Sequence, residues 1–171
     1  MMWNYTGNKR PDFAEAPGPG QESVWDYPRP PALVPDSRQV RVLQGEDVIA
    51  DTRGAVRILE TASPPTFYLP PDDINVSLLR GAPGRSFCEW KGAATYYCLA
   101  SDAAQLPIGW AYPQPQAPFT ALAGWYSFYP GRIHCEVDGE RVRPQPGGFY
   151  GGWITDEIVG PVKGESGTGH W

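Results

Sequence analysis

The sequence predicts a mainly β, antiparallel fold in a single domain, with one short helix and Pro/Gly-rich terminal extensions. Three observations carry that prediction. Glycine and proline each occur 20 times in 171 residues, roughly twice their usual combined share, and so many helix breakers favour a loop-rich β chain. Short apolar runs alternate with a period of two, as strands half-buried in a sheet do. Hydrophobic residues at 41% and aromatic residues at 13% supply enough buried surface for a core, which argues against a disordered chain.

Residues 1–37 form the N-terminal extension. Pro11, Pro17, Pro19, Pro28, Pro30, Pro31 and Pro35 exclude regular helix and central strand there. The stretch reads as a partly ordered strap; the alternative is that Trp25, Asp26 and Tyr27 dock as an aromatic anchor.

Residues 38–143 hold the core. Gln39 to Val42 alternates so that Val40 and Val42 face inward. Gly45 to Asp47 turns the chain, and Val48 to Asp51 returns as the second strand of a hairpin. A third strand runs from Ala55 to Glu60, with Val56 and Ile58 on one face and Arg57, Leu59 and Thr61 on the other. Glu60 shares the parity of Val56 and Ile58. It is either a carboxylate at the edge of a pocket or a solvated strand end, because charged residues are seldom fully buried unless paired.

Pro64-Pro65 interrupts the sheet, and Thr66 to Leu69 is a short extended piece. Asp72 or Asp73 can cap a short helix that packs Ile74 and Leu78 on the core and ends by Gly81, with Pro83 and Gly84 beyond. Trp110 and Tyr112 are two apart and share one side of a strand. Trp125 to Tyr129 is another aromatic strand. Asp138-Gly139, between Arg132–Val137 and Glu140–Val142, is the strongest hairpin signal. Residues 144–171 form a Gly/aromatic C-terminal extension, expected to dock because Phe149, Tyr150 and Trp153 are costly to leave in water.

Charge and cysteine content narrow the function. The formal net charge is −5 with a pI near 5.0, and no basic run occurs, so a nucleic-acid partner is disfavoured. No apolar stretch of about 18 residues spans a membrane, and residues 1–20 lack the apolar region of a secretory signal. A cytoplasmic location is expected. Three cysteines, an odd number, fit a reducing compartment better than a disulfide framework. They form no C-x-x-C pair, and strand neighbours His134 and Cys135 point to opposite faces. The sequence therefore supplies no metal ligand set and points to no cofactor.

The densest chemistry lies between Phe87 and Cys98: a thiol, a carboxylate, an indole, an amine and two phenols around Gly92. With their neighbours in the other strands, the candidate ligand-binding residues are Glu60, Tyr68, Cys88, Trp90, Lys91, Tyr97, Trp110, Tyr112 and Phe128. Aromatic walls with a few placed polar groups are the usual make-up of a small-molecule pocket, and Lys91 favours a ligand carboxylate or phosphate. The alternatives are an enzyme using Cys88 or Lys91, since a thiolate needs a nearby cation, and a structural or protein-interaction domain that meets a partner through its extensions. No residue is assigned a catalytic role.

Ile49-Ala50-Asp51-Thr52, Ile58-Leu59-Glu60-Thr61, Phe67-Tyr68-Leu69-Pro70, Cys88-Glu89-Trp90-Lys91-Gly92, Tyr112-Pro113 and Val137-Asp138-Gly139 occur in that order. Together they resemble the bacterial domain-of-unknown-function 427 family over roughly residues 39–142, with the Cys-x-Trp-Lys-Gly block the most specific part. The resemblance implies a small β-tent-like domain. It is similar in that respect to B-type methionine sulfoxide reductases and the thalidomide-binding domain of cereblon, whose ligand sites sit between sheets and use aromatic side chains. Those relatives usually carry zinc on two C-x-x-C pairs, which this chain lacks. A nucleotidyltransferase-like label is also attached to the family, but the Gly-Ser pair and spaced aspartates of such enzymes are absent, so no activity is carried over.

Overall fold

The computed structural model describes residues 3–171. Among them the chain is mainly β, in several mostly antiparallel sheets, with 3-10 turns as its only helical elements. Strand β1 (Glu22–Ser23) leads into a buried 3-10 turn, Val24–Asp26, capped by the Ser23 hydroxyl on the Trp25 amide. Strand β2 (Ala32–Asp36) follows. It lies inside the stretch read as a proline strap, and it tolerates Pro35 because it is the edge of its sheet, paired only with β5 (Ala55–Leu59).

Strands β3 (Val40–Gln44) and β4 (Asp47–Thr52) form the expected hairpin, with Val40 and Val42 fully buried. After β5 comes β6 (Thr66–Tyr68), which completes the three-stranded sheet β2-β5-β6. The expected short helix is instead a pair of 3-10 turns, Pro71–Asp73 and Val76–Leu78. The backbone between them is claimed by a strand: Ile74 bridges Ala50, and the Asn75 amide donates to the Ile49 carbonyl at 2.8 Å. An α-helix cannot form through a residue whose backbone is committed sideways.

Strand β7 (Leu79–Cys88) runs straight through Pro83 and Gly84, where the sequence reads as a break. A register shift between Ala82 and Arg85 absorbs both residues, Gly84 takes a left-handed φ of 106°, and β7 is again an edge. It pairs with β8 (Gly92–Leu99), which continues through β9 (Gly109–Ala111) to β10 (Tyr126–Phe128). Strands β11 (His134–Val137) and β12 (Glu140–Arg141) close on Asp138-Gly139. Both turn residues have positive φ, 47° and 82°, as a type I′ hairpin requires. Strand β11 also pairs with β3.

Both extensions dock. Strand β13 (Arg143–Pro144) pairs with β14 (Trp153–Ile154), while β15 (Ile158–Val159) runs parallel to β1. Trp153 is fully buried, stacks on Phe67 at 4.8 Å and donates its indole N–H to the Phe128 carbonyl. Trp25 is equally buried, donates to the Pro161 carbonyl and is ringed by Tyr5, Phe13 and Trp171. The Tyr150 side chain is only partly covered, and Phe149 is 74% exposed, contrary to the expected burial of both.

Charges lash the strap to the sheet. Arg57 pairs with Glu22 and Asp36, and Arg38 pairs with Asp36 and Glu157. Arg29, with its side chain 1% exposed, bonds Glu60 and the backbone carbonyls of Tyr5 and Trp171. One buried guanidinium thus ties both extensions to the end of β5. Three apolar clusters result: the main core around Val40, Phe67, Phe128 and Trp153; a strap cluster around Trp25 and Leu59; and a third formed by Ile58, Tyr68, Phe119 and Leu122, with Trp90 and Tyr112 packed on it.

Candidate functional site

The third cluster is the floor of a cleft of about 570 Å³. Its position follows from strand register. On β8, β9 and β10, Tyr96 stands opposite Trp110 and Trp110 opposite Ser127, whereas Tyr97, Gly109 and Phe128 form the neighbouring row. Successive residues face opposite sides of a sheet, so the row holding Tyr96 and Trp110 faces the cleft and the other row faces the main core.

Tyr68 lies at the bottom, fully buried, and its hydroxyl accepts the Trp110 Nε1–H at 3.2 Å. The two rings meet edge-on, and Tyr129 lies against Trp110 with ring centroids 4.6 Å apart. The β7–β8 hairpin forms one wall, with Cys88 near its tip and the Tyr96 hydroxyl bonded to Ser86 at 2.6 Å. Trp90 and Lys91 occupy the tip itself, and Lys91 Nζ stands 5.9 Å from the Tyr112 and Phe119 ring centroids. The Trp90 indole N–H is shielded from solvent and has no hydrogen-bond partner among the described residues. The end of β5 adds Ile58 and Glu60.

The opposite wall comes from the C-terminal extension. Gln145, 5% exposed, holds it in shape: its amide donates to the Lys163 carbonyl and its oxygen accepts the Gly152 N–H. Gly151 lies flat against the Trp110 ring, where no side chain fits. Lys163 is 9% exposed and reaches into the cleft between the rings of Trp3 and Tyr150.

A family model described as a domain of unknown function (DUF427) matches residues 32–142. The chain belongs to the DUF427 family. No curated protein matches it. The matched span contains the floor and the β7–β8 wall of the cleft, while Trp3, Gln145 and Lys163 lie outside it.

Of the residues singled out from sequence, the DUF427 cleft brings together Glu60, Tyr68, Cys88, Trp90, Lys91, Trp110 and Tyr112. Tyr97 and Phe128 are elsewhere: Tyr97 packs on Tyr126 at 4.9 Å, and Phe128 is fully buried in the main core. Their register row faces away from the site. Tyr96, one residue from Tyr97, is the phenol that lines it, placed there by a β8–β9 register that sets it opposite Trp110 and that the sequence does not reveal. Arg85, Tyr129, Arg132, Gln145 and Lys163 also line the cleft, but they are brought in by tertiary packing, which leaves no local trace.

Burial pushes the phenols of Tyr68 and Tyr112 well above their ordinary value, and raises Tyr129 to about 12 with help from Tyr96. These hydroxyls therefore stay neutral near pH 7 and act as hydrogen-bond donors and acceptors, not as bases. Burial, followed by the neighbouring Arg29, lowers the Lys163 ammonium. Glu60 is occupied by Arg29 at 3.2 Å. His134 bonds Glu136 at 2.8 Å and does not line the cleft. Among the described residues, no group of three or more His, Cys, Asp or Glu is placed to hold a metal ion, and no helix is long and apolar enough to cross a membrane.

Proposed function

We propose that this DUF427 domain binds a small molecule in the cleft between the β7–β8 hairpin and the C-terminal extension. One observation carries the reading: flat ring faces and unspent polar groups share a single concave space. Tyr112 and Tyr129, which are only partly buried, supply the faces, and the buried Trp90 N–H supplies a donor with nothing to bond. A shielded donor without a partner costs about 1–3 kcal/mol, which a ligand acceptor recovers. The volume is in the range of sites for metabolite-sized molecules. Native mass spectrometry of gently purified protein, followed by a fragment screen read on the indole N–H resonances, tests this. Bound mass released on denaturation, or fragments that shift the Trp90 and Trp110 signals, supports the proposal; bare protein with every fragment silent refutes it.

A second reading, an enzyme acting through Cys88 or Lys91, has one observation in its favour. Cys88 is half-buried and lines the cleft beside Lys91, whereas Cys98 and Cys135 are fully buried. It requires Cys88 to react with iodoacetamide near neutral pH faster than a free thiol does; an equal or slower rate excludes it.

A further inference from the structure

The charges in the cleft run against those of the whole chain. The protein carries a net −5, yet four cationic side chains line this one space: Arg85, Lys91, Arg132 and Lys163. The two carboxylates there are Glu60, already paired with Arg29, and Glu89 at the hairpin tip. Elsewhere the arginines of the strap and the sheets are mostly matched with acids: Arg10, Arg38, Arg41, Arg57 and Arg143 each sit in an ion pair. Among the described residues, none of the four cleft cations forms one.

Their existing contacts are with carbonyls and rings. Arg132 donates to the Pro107 carbonyl and lies 4.3 Å from the Tyr129 ring centroid. Arg85 bonds the Gly84 carbonyl. Lys163 reaches the Trp171 carbonyl at 3.4 Å and lies between aromatic faces; burial and then Arg29 depress its charge, while Glu60 and Glu89 act in the opposite sense from beyond ion-pair distance. A cation held nearly out of water with no Asp or Glu carboxylate in direct contact is costly unless something negative arrives. The rim adds a second demand: Phe87 and Phe149 are 70% and 74% exposed, and both border the opening. Exposed phenyl rings at the mouth of an aromatic cleft suit a flat apolar body.

We propose that the ligand of this cleft is a small organic anion, a carboxylate or phosphate group carried on a flat aromatic body. This rests on the small-molecule reading above and goes further by fixing the ligand's charge. Lys163 and Lys91 take the anionic group, and the Trp90 N–H is a further donor for its oxygens. The ring stacks among Tyr112, Tyr129 and the rim phenylalanines.

The test is a matched series of probes titrated into the full ¹⁵N-labelled chain: benzoate, phenyl phosphate, benzamide and benzylamine. The Trp90 indole signal is assigned from Trp90→Phe. One of the two anions should bind at least about tenfold more tightly than the isosteric neutral amide, given the strength of charge-assisted hydrogen bonds, and which anion does so distinguishes carboxylate from phosphate. Benzylamine should bind more weakly than either. In Lys163→Gln and Lys91→Gln the anion's advantage over benzamide should shrink to a few-fold, because the anion loses more than the amide does. If Lys163→Gln loosens the extension, Lys91→Gln decides, because Lys91 Nζ spends no hydrogen bond on the fold. Equal binding of benzamide and both anions overturns the anion assignment and leaves the small-molecule reading standing. Tighter binding of benzylamine does the same. Silence of the indole signals with all four probes overturns both.

Discussion

Gly151→Ala separates the docked extension from a tail that merely lies nearby. A Cβ at position 151 would sit 2.7 Å from Trp110 Cζ3 and 3.2 Å from Cζ2, and closer still to Cη2. Carbon atoms in good contact stand about 3.5–4.0 Å apart, so one partner must move. Trp110 is pinned by its bond to Tyr68 and by Tyr129 behind it; the extension therefore has to lift. Position 151 does not have a left-handed φ, so no backbone strain adds to the steric conflict. Overpacking of this kind costs about 1–3 kcal/mol. Gly81→Ala is the control, because nothing lies within 4 Å of its added carbon. There the smaller entropy of the unfolded chain should stabilise by about 0.4–1 kcal/mol. For a chain of this length each kcal/mol moves the melting temperature by about 2–4 °C. The same entropy gain applies at position 151 and cancels in the comparison, so thermal melts followed by circular dichroism should place Gly151→Ala roughly 2–12 °C below Gly81→Ala. A Gly151→Ala protein that melts with Gly81→Ala, or above it, would refute the close packing of the extension on Trp110.

Arg29→Met removes a buried guanidinium from Glu60 and two backbone carbonyls. It should cost about 3 kcal/mol, and limited proteolysis should cut both extensions at once while β3–β12 persists; cleavage of one extension alone contradicts the shared anchor. Glu22 is held below its ordinary 4.5, first by the hydrogen bond from Arg57. Its stabilisation is therefore complete above that value and fades as pH falls, when the unfolded chain takes up a proton that the folded one resists. Glu22→Gln should melt lower than the parent at pH 7, and the gap should close in acid; a gap that stays constant with pH excludes this linkage. Cys98 and Cys135 are fully buried and burial raises the Cys135 thiol, so native iodoacetamide labelling followed by intact-mass analysis should find one modified site, Cys88. Phe149→Ser should change stability by less than about 0.5 kcal/mol, since the ring is 74% exposed, as a melt will show.

Local signals were legible where the chemistry is local. Asp138-Gly139 demands a left-handed pair of residues, and the hairpin closes there with both φ values positive. The alternation around Val40 and Val42 reads directly as an inward face. Glu60 follows the parity of Ile58 to the cleft even though β5 ends at Leu59. Two features were hidden for opposite reasons. The stretch from Ile74 to Leu78 has helical spacing, but β4 captures its backbone first. The Pro83-Gly84 pair looks like a stop, yet an edge strand with a bulge needs neither the missing N–H nor a regular φ. The wall containing Gln145 and Lys163 could not be read at all, because these residues meet the cleft only through contacts distant in sequence.

The marriage of β1 with β15 also sets an order of events during synthesis. The hairpins β3–β4, β7–β8 and β11–β12 join neighbours and can close as they leave the ribosome. Trp25 must wait for Pro161, 136 residues later. At about 5–20 residues per second that interval is on the order of ten seconds. Throughout it the nascent domain displays an uncovered indole and an open strand edge, the two features that holding chaperones and sticky neighbours both recognise. The cleft acquires its second wall only once the stretch from Gln145 to Lys163 has been made, so a chain truncated before residue 144 would retain its hairpins but not a complete cleft.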